Sequence, residues 1–286
     1  EPKKMKVLIT GCNGFLGKEM IRYFSKNHTV IPTNRETLDP TKIGSVASFF
    51  RNNTVDIVIH TAVKGGKRTH KDCINDLYEN IKMFDNLSFY SNDYKALFNF
   101  GSGAEFDRIK NIHLAHETDI YGSLPTDYYG LSKNLITRRV NDLNSNIYNL
   151  RLYGCFGFFE EEQRLFRSIF NKISKSEPIE IHQDKYMDYF YAQDVGKVIE
   201  YLSNNLNQSI KKDYNLCYEK KYRLSELSFK IKSLTNHKQD VIINNTDLGF
   251  SYTGSNDRLA KLDIKLTGLD KGIENCYTEW RKNGNH

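Results

Sequence analysis

"KVLITGCNGFLG", residues 6–17, is an apolar run that breaks into three glycines, each three residues from the next. KVLIT has the unbroken apolar character of a strand covered on both faces. FLGKEMIRYFSKN follows, with Phe15, Leu16, Met20, Tyr23 and Phe24 on helical spacing. Gly11, Gly14 and Gly17 therefore sit in a strand–turn–helix context. There the first glycine permits a tight turn and the second lets backbone approach a pyrophosphate at the helix N-terminus. The third lets helix and strand pack closely. The stretch predicts a dinucleotide site at the head of a doubly wound sheet.

The same alternation continues outward. HTVIPT reads as a second strand, followed by a helix near 43–52, the strand VDIVIHTA and the long helical pattern DCINDLYENIKMFDNLSFYS. KALFNFGS is the next strand, residues 129–145 are helical, and IYNLRLYG is a further strand. Such alternation predicts an α/β fold, a parallel sheet with helices on both faces. After about residue 154 the pattern loosens into a helix (RLFRSIFNKISK), two strands (PIEIH, DVIINN) and a strand–turn–helix (DYFYAQDVGKVIEYLSNN). We expect a Rossmann domain over 1–153 with a return segment at about 188–206. Residues 154–286 would then be mainly a smaller C-terminal α/β lobe, with a cleft between.

Composition narrows the function classes. The chain has 286 residues, 39% hydrophobic and 27% charged, which supports a globular core and excludes a disordered chain. No apolar run reaches the roughly 18 residues of a membrane span, and no secretory leader is recognisable, so a soluble cytoplasmic protein without a membrane partner is expected. The five cysteines form no CxxC pair and share no metal-ligand spacing with histidine, so neither a disulfide framework nor a metal site is expected. The net charge of +6 comes from scattered lysines with no basic run, which argues against nucleic acid.

The second strand ends PTNRE, where NAD sites usually carry an acidic residue for the ribose hydroxyl. Arg35 stands where a 2′-phosphate would need a bidentate donor, which predicts NADPH. Glu36 is adjacent, and a solvated Arg–Glu pair is the plainer alternative. Tyr129 and Lys133, in YGLSK, are four apart and share a helix face. A phenol with an ammonium beside it becomes a usable proton donor or acceptor. Ser102, at the end of the preceding strand in NFGSGAEFD, is the one hydroxyl there able to join them.

Together TGCNGFLG, DIVIHTA, FGSGAEF, YGLSK, DYFYAQDVG and YTGSNDRLAKL resemble the extended short-chain dehydrogenases/reductases of the NAD-dependent epimerase/dehydratase family, in the nucleotide-sugar branch. Within that branch the chain looks most like GDP-L-fucose synthase. The stretch from Arg35 to the Val-Lys-Gly-Gly turn at 63–66, and LPTDYYGLSK, are similar to that group. The resemblance implies a catalytic triad in which Ser102 orients a carbonyl, Tyr129 exchanges its proton, and Lys133 holds the nicotinamide ribose and tunes Tyr129. It also implies that Asn13, Phe15 and Leu16 join the glycines around the cofactor. Thr61, Ala62 and Val63 would line the ribose, and Asn80 would contribute to the cofactor site and its proton path. A homodimer through the helices at 70–92 and around Tyr129 is implied as well.

Two residues after the triad serine depart from the relatives. Sugar 4,6-dehydratases carry Asp and Glu there, and fucose synthases a cysteine and a later histidine. This chain has Gly103 and Ala104, and no histidine between His116 and His182; Arg164 lies near where that histidine would align. Glu105, on a strand-like alternation, is expected to point away from Ser102. Proton removal beside a ketone needs a positioned base, whereas hydride transfer does not. The expectation is an NADPH-dependent C4 ketoreductase of a GDP-linked 4-keto hexose or heptose, with Ser102, Gly103, Ala104, Arg164 and Arg167 near the substrate. Met187 replaces the arginine that the family uses at the diphosphate; Arg164, Arg167, Lys172 and Lys185 are the alternatives. The rivals are an NAD-retaining 4-epimerase and a binding protein with a relic triad.

Overall fold

The computed structural model describes residues 3–283 apart from 68, 207 and 209. The first half alternates as expected: β1 (Lys6–Thr10), α1 (Phe15–Phe24), β2 (Thr29–Pro32), α2 (Ile43–Asn52), β3 (Ile57–His60), α3 (Ile74–Phe89) and β4 (Ala96–Ser102). A 3₁₀ turn (Gly103–Phe106), β5 (Ile112–Ala115) and a second 3₁₀ turn (Glu117–Gly122) lead to α4 (Tyr128–Asp142) and β6 (Ile147–Leu152). The remainder is β7 (Cys155–Phe156), α5 (Leu165–Ser174), β8 (Ile179–Gln183), β9 (Phe190–Tyr191), α6 (Ala192–Asn204) and β10 (Asp213–Leu216). α7 (Leu224–Leu234), β11 (Val241–Asn245), β12 (Tyr252–Gly254), α8 (Asp257–Ala260) and α9 (Leu269–Lys282) complete it.

The main sheet is parallel with order β10-β6-β4-β3-β1-β2. Its strands alternate sides as a pleat demands. Val7, Ile9, Ile57, Ile59 and Phe98 face α1 and α6, packing with Met20, Phe24, Val195 and Leu202. Leu8, Val58 and Leu97 face α2, α3 and α4, packing with Phe49, Phe84, Leu87 and Ile136. Because both faces are covered, these strands read as continuous apolar runs. A third core of Phe156, Phe166, Phe170, Ile231, Ile273 and Trp280 holds the C-terminal elements. Among the described residues no helix is long and apolar enough to cross a membrane.

Four strands, β5, β7, β10 and β12, were not visible in the sequence, and two of them bear on the site. β10 adds a sixth strand to the main sheet from within the segment expected to be mainly lobe. It begins with a buried aspartate, Asp213, and carries a buried Asn215, so its polar face hides the strand pattern. β12 pairs with β5 and brings residues 252–254 beside the end of β4.

The glycine turn is a steric device as well as a turn. Gly11 has φ +66°, and a Cβ there would lie 2.7 Å from the Ala62 nitrogen. A Cβ on Gly17 would lie 2.2 Å from the Gly11 carbonyl oxygen, with rigid backbone on both sides. Gly44 in α2 has nothing within 4 Å. Gly17→Ala is therefore expected to lower stability by about 1–3 kcal/mol through overpacking. Gly44→Ala should raise it by roughly 0.5–1 kcal/mol through helix entropy. Urea melts of the two variants check the pair; equal effects would show that α1 does not press on the turn.

Candidate active site

The chain leaves β1 to one side for β2 and crosses to the other for β3, so the crevice beyond the C-terminal ends of β1 and β3 is the sheet's switch point. The glycine turn lies at its floor. Gly14 is the N-cap of α1, makes no side-chain cap, and no acidic residue occupies the first helical turn. The first N–H groups of the helix therefore face outward without intrahelical partners. A Cβ on Gly14 would meet only the Gly11 oxygen, at 3.5 Å, an ordinary contact. Nothing in the protein itself requires glycine there, and the open space is where a phosphate would approach.

Asn13 and Gly14 are exposed beside Phe15 and Leu16, which are partly exposed. Arg35 stands in the turn after β2, its side chain 57% exposed and paired at 3.7 Å with Glu79 of α3, not with Glu36. Lys64 shares that glutamate at 3.4 Å. A positive charge thus stands beyond the end of β2, free enough to take a phosphate. These residues fit a dinucleotide carrying a 2′-phosphate.

The end of β3 is held in place by short-range bonds. The Thr61 hydroxyl donates to the Thr10 carbonyl at 2.6 Å, and the Ala62 N–H donates to the Thr10 hydroxyl at 3.3 Å. His60, bonded to that same hydroxyl, is fully buried, and burial next to Lys133 drives its pKa down to about 3, so it is a neutral structural ring. Thr61 and Ala62 remain partly exposed and Val63 is exposed at the crevice. Asn80 is bonded within the protein. Its amide accepts from the Lys64 N–H at 2.8 Å and donates to the Lys64 carbonyl at 2.9 Å, and it reaches Ser132 at 3.2 Å. With its amide so engaged, Asn80 ties the loop after β3 to α4, both N–H groups used and one acceptor site of its oxygen filled.

That loop touches the Tyr129 phenol. Gly66 has φ +74°, and a Cβ there would lie 2.6 Å from the Tyr129 ring. Asp72 holds the Gly66 N–H at 2.8 Å. His70, Asp72 and Asp76 come close enough to share an ion, but Asp76 caps α3 through the Cys73 N–H and also bonds His70. These groups are already employed in shaping the loop.

At the end of β4, Ser102 is nearly buried, and its hydroxyl accepts from the Ala104 N–H at 3.1 Å, which starts the 3₁₀ turn. The chain bends here where an extended strand was expected, and this corrects the reading of Glu105. Its carboxylate turns inward, accepts from the Ser102 N–H at 2.8 Å, and pairs with Arg151 at 2.9 Å. Arg151 is fully buried and also bonds Asp213 and Asn215, each at 2.9 Å. Burial would strip its proton, but Asp213 and Glu105 outweigh that and hold its pKa above the usual value. Burial raises the Glu105 pKa and Arg151 opposes it; with its oxygens held by Ser102, Arg151 and Thr137, Glu105 is a structural group and not a free base.

Tyr129 opens α4, whose N-cap Asp127 accepts from the Gly130 N–H at 2.8 Å and holds Arg108 at 2.8 Å. Burial raises the Tyr129 pKa; a hydrogen bond with Ser102 and the charges of Arg108 and Arg164 oppose it. The Arg108 guanidinium lies 5.6 Å from the Tyr129 ring centre. Lys133 lies 5.8 Å from that ring and donates to the Phe100 carbonyl at 2.6 Å. Burial lowers its pKa to about 8, opposed by Glu105.

The first position after Ser102 is bare for a steric reason. A Cβ on Gly103 would lie 2.4 Å from the Tyr153 ring and 2.7 Å from the Tyr252 ring. Ala104 is fully buried. From the lobe, the exposed Arg164 at the start of α5 acts electrostatically on Tyr129. Arg167 does not join it, for its guanidinium donates to the Phe158 carbonyl and lies against Trp280. Met187 pairs alongside Tyr252. The sequence reading missed Arg108, Tyr153 and Tyr252, none of which carries a local signal; YTGSNDRLAKL had pointed only to the segment.

Comparison with known proteins follows this geometry. The chain is 24% identical over 243 residues to GDP-L-colitose synthase of Yersinia pseudotuberculosis, covering 74% of this chain and 79% of that protein. It is 24% identical over 230 residues to dTDP-4-dehydro-6-deoxyglucose reductase of Escherichia coli, covering 68% and 71%. Its fold is similar to that of GDP-mannoheptose C4 reductase from Campylobacter jejuni with NADP bound, at TM-score 0.82, 19% identity and 98% of each chain. The model of the NAD-dependent epimerase/dehydratase family matches residues 7–217, and the chain belongs to that family.

Proposed function

We propose that this protein is an NADPH-dependent C4 ketoreductase of a GDP-linked 4-keto sugar, a 6-deoxy-hexose or a heptose, without C3 or C5 epimerase activity. The observation that carries the reading is the bare pair Gly103 and Ala104 after Ser102; at the first of them two tyrosine rings fill the space a side chain would use. Gly11, Gly14, Gly17 and the N-terminus of α1 would hold the pyrophosphate, and Arg35 the 2′-phosphate. NADPH, when bound, supplies the hydride that C4 receives, a hydrogen that does not exchange with solvent. Tyr129 protonates the developing alkoxide while Ser102 bonds the same oxygen. Lys133, Arg108 and Arg164 supply positive charge around the phenol. GDP as the nucleotide is supported by the names of two of the similar proteins, which carry GDP-sugars. A place in surface polysaccharide synthesis in the cytoplasm follows from that substrate class. A homodimer fits the exposed Ile74, Tyr78 and Phe89 of α3 and Tyr128 of the adjoining α4.

The deciding experiment is reduction in D₂O with NADPH and a set of GDP- and dTDP-4-keto sugars. The product should carry no ring deuterium above an enzyme-free control. Enzyme-dependent deuterium at C3 or C5 would refute the reductase-only reading. Co-purified NAD, with turnover in the absence of added cofactor, would favour a 4-epimerase instead.

Tyr129→Phe should lower kcat by roughly 10²–10⁴-fold, the scale of general acid catalysis, and leave NADPH affinity nearly unchanged. The pH profile gives a second check. Lys133 is charged below about pH 8, so kcat/KM for NADPH should fall as pH rises through that value. A profile flat to pH 9 would show that its ammonium is dispensable.

Arg35→Ala should weaken NADPH binding about tenfold or more and leave NADH binding little changed, since a charge-assisted bond contributes about 1.5–3 kcal/mol. Equal losses for both cofactors, measured by titration, would make Arg35 structural.

A further inference from the structure

Tyr252 lies 150 residues beyond Ser102, yet its hydroxyl stands 3.3 Å from the Ser102 Oγ. Its ring occupies the volume above Gly103 and meets Tyr153 edge-on, ring centres 5.3 Å apart at 74°. Tyr153 is itself anchored, its hydroxyl donating to Asn215 at 3.3 Å, and Gly103 and Gly254 both lie against its ring. Backbone fixes Tyr252 from the other side. Its N–H donates to the Tyr186 carbonyl at 2.9 Å, and its carbonyl accepts from the Asp188 N–H at 3.1 Å. A phenol held this firmly beside the triad serine was assigned no role from the sequence.

We infer that Tyr252 is a positioning residue of the reaction centre, whose O–H donates to Ser102 and thereby aims the Ser102 proton at the substrate's carbonyl oxygen. The argument is a count of hydrogen-bond capacity. A serine hydroxyl has one proton and two acceptor sites. The Ala104 N–H fills one acceptor site at 3.1 Å. Among the described residues Ser102 is the only hydrogen-bond partner of the Tyr252 hydroxyl; either oxygen could donate across that contact, and in the inferred arrangement the Tyr252 proton fills the second acceptor site. The proton of Ser102 is left for the side facing Tyr129, where the substrate oxygen belongs. Burial pushes the Tyr252 pKa up, opposed by its hydrogen bond with Ser102, so the phenol keeps its proton and is no base. This also explains how an aromatic ring takes the place of an acid–base group without restoring epimerisation.

The inference rests on the reductase reading for the oxygen being aimed at, and two measurements separate the two. Neutron diffraction from D₂O-exchanged crystals of the unliganded protein reads the hydroxyls directly. A deuteron on Tyr252 pointing at Ser102 is expected; a deuteron on Ser102 pointing at Tyr252, or a Tyr252 deuteron aimed elsewhere, overturns the inference whatever the substrate proves to be. Kinetically, Tyr252→Phe keeps the ring and should lower kcat about three- to tenfold, the worth of one net hydrogen bond, with KM and NADPH affinity unchanged. In a Ser102→Ala background the same substitution should cost nothing further. An equal cost in both backgrounds, or a rise in KM with an unchanged kcat, overturns it. If the wild-type protein oxidises NADPH with none of the keto sugars, the reductase reading fails and the neutron map still decides Tyr252.

Discussion

The Arg151 guanidinium, sealed in the sheet, is the point from which the reaction centre is measured. It reaches Glu105 after β4 and Asp213 and Asn215 on β10, while standing on β6 itself. Glu105 in turn takes the Ser102 N–H and the Thr137 hydroxyl of α4, and its carbonyl accepts from Asn134 on the same helix. Ser102 and the helix carrying Tyr129 and Lys133 are thus referenced to one buried ion cluster. Such a cluster adds little net stability over an apolar core, because desolvation consumes most of the Coulombic gain. Removing one member would leave an uncompensated charge, at a cost of about 3–5 kcal/mol. Its contribution is geometric: side chains from two strands, a 3₁₀ turn and a helix can satisfy one another only in one register.

That division explains what the sequence could and could not disclose. The glycine turn, the alternating strands and the Tyr129–Lys133 pair are local patterns, set by spacings of two to four residues. Periodicity records them because a pleat or a helical turn repeats along the chain. The ion cluster joins residues 46 and 62 apart, and the Tyr252–Ser102 contact spans 150. No period connects such positions. β10 was hidden for a related reason: the carboxylate and amide that serve Arg151 replaced the apolar residues by which a buried strand is recognised. Glu105 was misjudged because strand alternation was carried one turn too far, past the serine that caps the 3₁₀ turn.

Asn80 and Arg167 teach a different lesson. Both have residue types suited to a ligand, and both are held by backbone carbonyls of their own chain. Asn80 spends its amide on fixing Lys64, and so shapes the crevice indirectly through the loop that carries Gly66 against the Tyr129 ring. Arg164 and Arg108, by contrast, keep exposed charge near the phenol. Which of several arginines serves a site depends on which have no carbonyl to satisfy, a property of packing that composition does not carry.

The glycine after Ser102 is bare because the space it would fill is occupied. Tyr153 and Tyr252 both press on it, Gly254 clears the far face of Tyr153, and Asn215 fixes the Tyr153 hydroxyl to the network around Arg151. A carboxylate could not be restored at position 103 by one substitution, since two rings held by backbone and by the buried cluster would have to move with it. The absence of an acid–base group is therefore built into four elements at once and is not a local change at one loop. A site so constructed keeps the Ser102 and Tyr252 hydroxyls side by side and carries no ionisable side chain at positions 103 and 104. The packing of Gly103 against these two rings is what the proposed reading, reduction without epimerisation, rests on.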